Sequence, residues 1–178
     1  DEDKLLEVVS EGLIKGKTIA WFSGRSEWGP RALGNRSILA NPATPNIQNI
    51  LNLQIKNREQ FRPFAPIFME DKIKDFFNLD EKIPFMNFVF NVEKNIEKVK
   101  GAVHADNSSR IQTINKHQNE RIYNLLNKFY LKSDIPCLIN TSLNMNEPIV
   151  ETPKNAFECF ARTNLDFLVM ENYLVSKK

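Results

Sequence analysis

Apolar positions recur along the chain in two rhythms, and the alternation between them sets the expected architecture. Leu5, Leu6, Val9 and Leu13 fall at helical spacing, and Gly16 stands where a helix end wants a left-handed residue. The run TIAWF (18–22) follows as a short buried strand ending at Ser23-Gly24, and GRSEWGPRALGNRS then reads as a long loop holding three of the six glycines. Asn46 stands as an N-cap to a helix striped by Ile47, Ile50, Leu51 and Ile55. FAPIFM (64–69) predicts a strand, and Ile73, Phe76 and Phe77 a short helix after it.

The second half keeps the rhythm. FMNFVFNV (85–92) and RIQTI (110–114) predict strands, and Ile122, Leu125, Leu126 and Phe129 the clearest amphipathic helix. IPCLIN (135–140) predicts a buried strand running into TSLN. Thr152-Pro153 opens a helix through Phe157 and Phe160, with Pro at the first helical position. FLVMENYLVSK predicts two strands joined by a tight turn at Glu171-Asn172. Together these elements predict a mixed α/β fold around an open, partly antiparallel sheet.

Composition narrows the class. The chain has 178 residues, 42% hydrophobic and 26% charged, a globular balance that argues against disorder, fibre or coiled coil. Folding at this size buries roughly 70% of the unfolded surface, and no internal repeat or linker divides the chain, so one domain over 1–178 is expected. Apolar runs fall far short of the roughly 20 residues of a membrane span. No basic-then-apolar leader opens the chain, and two cysteines without metal spacing fit a reducing cytoplasm. The start DEDKLLEVV, without an initiator Met, reads as a piece of a longer protein. Trp21, Trp28 and the thirteen Phe are expected mostly in the core, as is Cys137.

Charge is uneven beneath the net of +2. Between Gly24 and Arg62, Arg25, Arg31, Arg36, Lys56, Arg58 and Arg62 face only Glu27 and Glu59, a local net of +4 that leaves −2 for the rest. Arginine offers a planar fork of donors that matches phosphate oxygens. A solvated basic surface accounts for the same charges, and the helix dipole alone accounts for Lys56. The dipole explains less well why Arg62 stands between Phe61 and Pro63-Phe64, because a guanidinium among apolar neighbours wants a partner. NTSLN (140–144) ends a buried strand with amides and hydroxyls, either a phosphate-holding strand end or a turn that bonds its own backbone. Ser108-Ser109-Arg110 presents the same two readings. His104 and His117 lack a third ligand at zinc spacing, and neither GxxxxGK[ST] nor GxGxxG occurs.

GRSEWGPRALGNRSILANP resembles the C-terminal domain of the NodU/CmcH/TobZ carbamoyltransferases. The likeness continues through IKNREQFRPFAP, PFM, HADNSSRIQT, NTSLN-x-x-EPIV and LDFLVMENYLV, and so covers the chain from about Lys17 onward. It implies a YrdC-like fold: an open, twisted, mixed and largely antiparallel sheet with flanking helices. Lys56-Asn57-Arg58 and Ser142-Leu143-Asn144 stand where that family has KxR and SxN. The resemblance implies that ATP, with Mg²⁺, and carbamoyl phosphate form carbamoyl adenylate here. A separate N-terminal domain, carrying Fe or another divalent metal, would pass the carbamoyl group to an acceptor hydroxyl. That domain is not in this sequence.

By the same resemblance, Lys56, Arg62 and Ser142 would be catalytic, and Arg31 and Arg110 would bind ATP or carbamoyl phosphate, with Arg58, Asn140 and Asn144 as neighbours. No protein side chain is assigned to a metal. Leu143 departs from the usual Phe, and Asn107-Ser108-Ser109 from Gly-Thr-Ala; each lies beside a ligand position, not on one. Two other classes compete: a basic-cleft module binding nucleotide or RNA, and a docking domain without turnover. A net charge of +2, with the arginines confined to one window, argues against nucleic acid.

Overall fold

A computed structural model describes residues 1–177 as three layers, two of helices around one seven-stranded sheet. The strands are β1 (Ile19–Phe22), β2 (Arg36–Ala40), β3 (Ala65–Met69), β6 (Gln112–Ile114), β7 (Cys137–Ser142), β8 (Phe167–Met170) and β9 (Tyr173–Ser176), in spatial order β6-β3-β7-β2-β1-β8-β9. β1 pairs parallel with β8 and β3 with β6; the other four pairings are antiparallel. The sheet is therefore mixed and largely antiparallel, as the sequence pattern and the resemblance lead one to expect.

Alternation of side chains across each strand assigns the two cores. Ile19 and Trp21 of β1 and Leu39 of β2 pack against α1 (Glu2–Ile14) and α4 (Glu120–Ser133), where Leu5, Leu6, Val9, Leu125, Leu126 and Phe129 converge. On the opposite face, Ala20, Phe22, Ile38 and Ile139 meet Leu51 and Ile55, together with Ala156, Cys159 and Phe160 of α5 (Pro153–Arg162). Thr152 caps α5 through its hydroxyl, and Asn155 returns the bond, so the Thr-Pro start reads directly from sequence.

The segment after Asn46 is not one α-helix. It opens as α2 (Ile47–Asn49) and widens into a π-helical turn, Ile50–Ile55, while Asn46 sits in the left-handed region and makes no side-chain cap. FMNFVFNV holds only the short β4 (Val89–Asn91), because Met86 adopts a positive φ that interrupts extended backbone. The run 110–114 is divided: β5 (Ser108–Arg110) pairs with β4 in a separate ribbon, and β6 joins the main sheet. The residues after Met69 form a 3₁₀ turn, Glu70–Asp75, and α3 is the short turn Ile96–Val99.

Trp28 is fully exposed, and Phe61, Phe85, Phe88 and Phe157 are also at the surface, so these aromatics lie outside the core expected for them. No helix among the described residues is long and apolar enough to cross a membrane.

Gly101 tests the packing of the connection after α3. Its amide donates to Pro42 O at 2.9 Å, and an added Cβ would meet that oxygen at 2.6 Å and also press on Ile47. Gly101→Ala is expected to lower stability by about 1–3 kcal/mol in urea unfolding, the usual cost of overpacking.

Candidate functional site

One edge of the sheet gathers the expected site residues. β7 ends there at Ser142, β2 begins at Arg36, β3 follows Arg62 by three residues, and β5 delivers Arg110 just before β6. Beside that edge the π-helical turn ends sharply. Lys56 N donates to Leu51 O and Arg58 N to Asn52 O, both at 2.9 Å, with Asn57 at φ 46°. Wide helical turns of this kind are common at functional sites, because they re-aim the side chains that follow.

Lys56 is only 2% exposed and points at the end of β7. Its three Nζ–H groups are shared among four oxygens, Ser142 O (2.5 Å), Ser142 Oγ (3.2 Å), Asn144 O (2.9 Å) and Asn144 Oδ1 (2.7 Å). Ser142 Oγ in turn donates to Asn144 Oδ1 at 2.7 Å, and Asn144 Nδ2 to Glu147 O at 2.6 Å. Burial pulls the Lys56 pKa down to about 7, and the neighbouring Arg58 guanidinium adds to the fall. The ammonium thus sits against neutral oxygens with no carboxylate in direct contact, and the nearby Glu147 charge only partly opposes the fall.

Arg58 donates through Nε to Asn52 Oδ1 at 2.7 Å and lies over the Phe64 ring at 4.9 Å. Burial and then Arg62 lower its pKa. Asn52, wholly buried, also donates to Gln60 O (3.1 Å) and Arg62 O (2.9 Å), which fixes the backbone on which Arg62 rides. Arg62 itself is half exposed and pairs with Glu59 at 2.9 Å. These groups, with Asn57, Met145, Asn146 and Glu147, enclose a cavity of about 410 Å³. Lys56, Arg58, Arg62, Ser142 and Asn144 are therefore brought together.

Arg31 and Arg110 form a second basic pair. Burial and then Arg31 lower the Arg110 pKa, which places the two guanidinium groups within electrostatic reach of each other. Neither forms an ion pair among the described residues. Asn140 stands apart: it is buried below the Arg31 loop, where Nδ2 donates to Ala32 O (3.1 Å) and Gln112 Oε1 (2.9 Å). Its Oδ1 has no partner among the described residues. Gln112 Nε2 donates to Leu33 O at 2.9 Å, so two amides of the sheet hold the loop that carries Arg31.

Sequence reasoning did not single out Asn52, Glu59 or Glu147. A visible signal existed for Asn52, an amide beside Leu51 in an apolar stripe. Arg36 is the converse case, a cation of the basic window with a structural task. It is 4% exposed, donates to Ser23 O and Asn35 O (3.1 Å each) and Gly24 O (2.9 Å), and lies 3.6 Å over the Phe22 ring. Glu27 completes the loop, its Oε1 accepting from Leu33 N and Asn35 N at 2.7 Å. Cys137 and Cys159 are buried thiols with pKa values raised by burial. No group of three or more His, Cys, Asp or Glu among the described residues is placed to hold a metal.

An open mixed sheet with buried cations at one edge is an architecture for holding anions, and comparison with known proteins gives the class. The family described as Carbamoyltransferase C-terminus matches residues 10–177, and the chain belongs to it. The chain is 41% identical to nodulation protein NolNO of Sinorhizobium fredii and 40% identical to NolO of Bradyrhizobium diazoefficiens, each over 99% of its length. It spans 27% and 33% of those proteins, about a third or less of their length. By fold it is similar to full-length HypF in a phosphate- and nucleotide-bound form (TM-score 0.68, 15% identity, 94% of this chain, 25% of that one). It is also similar to Pyrococcus abyssi Sua5 complexed with L-threonine (TM-score 0.64, 11% identity, 98% and 53%).

Two expectations follow from this electrostatics. Lys56 has a folded-state pKa near 7 against 10.5 unfolded, so the unfolded chain binds more protons between those values. Stability should rise with pH from about 7 to 10. Lys56→Met should remove that rise in urea unfolding at stepped pH, whereas a persisting slope would assign it elsewhere. Arg36→Met should cost about 2–4 kcal/mol through stranded carbonyls, while Arg31→Met at the exposed loop should stay within about 0.5 kcal/mol.

Proposed function

We propose that this domain activates carbamoyl phosphate with ATP, forming carbamoyl adenylate for a transferase that carbamoylates an acceptor hydroxyl. The observation that carries the reading is the 410 Å³ cavity in which Lys56, Arg58 and Arg62 face the Ser142–Asn144 strand end with only two carboxylates on its wall, Glu59 paired with Arg62 and Glu147 paired with Arg162 outside it. Such a cluster is electrostatically incomplete without an anion. Family membership supplies the carbamoyl chemistry.

The reaction balances in two steps. Water cleaves carbamoyl phosphate to carbamate and phosphate. A carbamate oxygen then attacks the α-phosphorus of ATP, the bond to the β-phosphate oxygen breaks, and pyrophosphate leaves. Both steps concentrate negative charge, which preorganised cations stabilise. Lys56 would meet the α-phosphate and Arg62 the departing phosphates, Arg62 exchanging Glu59 for substrate. Ser142 and Asn144 would hold Lys56 and bond the adenylate, with Arg58 stiffening that wall. Arg31 and Arg110 would hold the phosphate of carbamoyl phosphate, and Asn140 would fix the Arg31 loop beneath them. Mg²⁺ would enter with ATP, held by phosphate oxygens and water. The acceptor and the domain that meets it would lie in the rest of a longer protein, as the NolO and NolNO lengths imply, in a cytoplasmic setting where ATP is available.

Pyrophosphate release with ATP, Mg²⁺ and carbamoyl phosphate, each omitted in turn, tests the reading. Release needing all three is expected, and Arg62→Ala should abolish it while leaving the unfolding midpoint unchanged. ATP binding without release would make the domain a nucleotide-holding module. RNA binding that falls steeply with salt, without ATP competition, would replace the reading altogether. ATP should also raise the Lys56 pKa, so binding near pH 8 should take up a proton, seen as heat that depends on the buffer's ionisation enthalpy. Lys56→Met should abolish that uptake and weaken ATP by about 10–100-fold.

A further inference from the structure

Glu147 lines the cavity that holds Lys56, yet its ion pair is with Arg162, at 3.0 Å, and it reaches Lys56 through Asn144. The Asn144 amide is used at both ends. Its Oδ1 accepts from Lys56 Nζ and from Ser142 Oγ, each at 2.7 Å, and its Nδ2 donates to Glu147 O at 2.6 Å. Turned over, the amide would set its own N–H groups against the ammonium and leave Glu147 O without that donor. Glu147 O therefore decides which way the amide faces, and with it whether Lys56 meets an acceptor or a donor.

The Glu147 carboxylate in turn fixes Glu147 O. Its Oε1 accepts from Met145 N–H at 3.3 Å and from Arg162, and its Oε2 from Asn146 N–H at 3.2 Å, so the side chain folds back over the turn that it ends. Pro148 follows and disfavours helical backbone at Glu147. Leu143, wholly buried, anchors the other end: its N–H donates to Arg36 O at 2.9 Å, and its carbonyl accepts from Val150 N–H at 3.1 Å. Arg162 comes from the last turn of α5, whose Cys159 and Phe160 lie in the core, so the ion pair ties the turn to a packed helix. Burial alone would raise the Glu147 pKa, but the N–H groups of the turn and then Arg162 outweigh it and hold the carboxyl below its ordinary value. Glu147 is thus ionised at pH 7. Both partners of the pair are partly exposed, and such a pair contributes little to stability. What it supplies is a fixed direction for Glu147 O.

We propose that Glu147, held by Arg162, is a positioning residue for Lys56: it keeps the Asn144 amide oxygen on the ammonium and so sets where Nζ stands. Its hold on Lys56 stands on these contacts, whereas its effect on catalysis rests on the adenylate-forming reading. In that reaction a displaced ammonium still attracts ATP but no longer meets the α-phosphate in line, so kcat falls more than KM rises. The charged and titratable groups that face Lys56 are Arg58 at the end of the π-helical turn, Cys159 on α5 and Glu147 itself. Because the Glu147 charge opposes the fall of the Lys56 pKa, charge and geometry need separate variants.

Hydrogen exchange of the Lys56 ammonium, followed by NMR at about pH 5.5 where the group is protonated, compares the wild type with Glu147→Ala, Glu147→Gln and Arg162→Met. Glu147→Ala should speed exchange severalfold as the acceptor shell loosens, and Arg162→Met should act in the same direction more weakly. Glu147→Gln keeps an oxygen for the turn and loses the charge, so exchange should stay slow while the Lys56 pKa falls further below about 7. In pyrophosphate release, Glu147→Ala should lower kcat by up to about 100-fold with little change in the KM for ATP, and Glu147→Gln should recover most of it. Unchanged exchange in Glu147→Ala, or equally fast exchange in Glu147→Gln, would overturn the positioning role. Absence of pyrophosphate release in the wild type would overturn the adenylate reading, and the exchange comparison would still decide the role of Glu147.

Discussion

The burial of one ammonium group, Lys56, organises the site. Four oxygens of Ser142 and Asn144 surround Nζ, and among the described residues no carboxylate forms an ion pair with it. Removing a charge from water costs several kcal/mol even with good hydrogen bonds, and the fall of its pKa to about 7 expresses that cost. The bonds also bind the end of the π-helical turn to the end of β7, so the cationic wall and the strand end cannot move independently. A site held in this way gains electrostatic stabilisation when an anion arrives, with little rearrangement.

Neighbouring interactions serve the same geometry at lower charge. Asn52 turns a buried amide into a scaffold, bonding Arg58 and the carbonyls of Gln60 and Arg62. Arg62 is the exposed cation of the group, about half accessible and ion-paired among the described residues only with Glu59. On the other side of the edge, Asn140 and Gln112 tie down the loop that presents Arg31 beside Arg110. Buried and exposed cations thus differ in how firmly the structure holds them, which suits the proposed binding of a polyanion.

Much of this was legible in the chain. The amphipathic stripe of α4, the Thr-Pro start of α5 and the Glu171-Asn172 turn rest on local rules, and tertiary packing agrees with each of them. β2 was not legible, because its first residue is Arg36, and an arginine after a glycine-rich stretch reads as loop. Three carbonyls and the Phe22 ring make that arginine an interior residue. The π-helical widening after Asn49 was equally hidden, since an apolar stripe at helical spacing does not specify the hydrogen-bond step. Within the site, residue types pointed to Lys56, Arg62 and Ser142, but Lys56 reaches Ser142 and Asn144 across separations of 86 and 88 residues. The exposure of Trp28 and Phe61 runs against the preference of aromatics for the core.

The most direct measurement is an NMR titration of the Lys56 Nζ group, free and with ATP. The account predicts a pKa of about 7 in the free protein and a clear rise when ATP is bound, as the phosphate charge offsets the cost of burial. An ordinary lysine value near 10.5 in the free protein, unmoved by ATP, would contradict it.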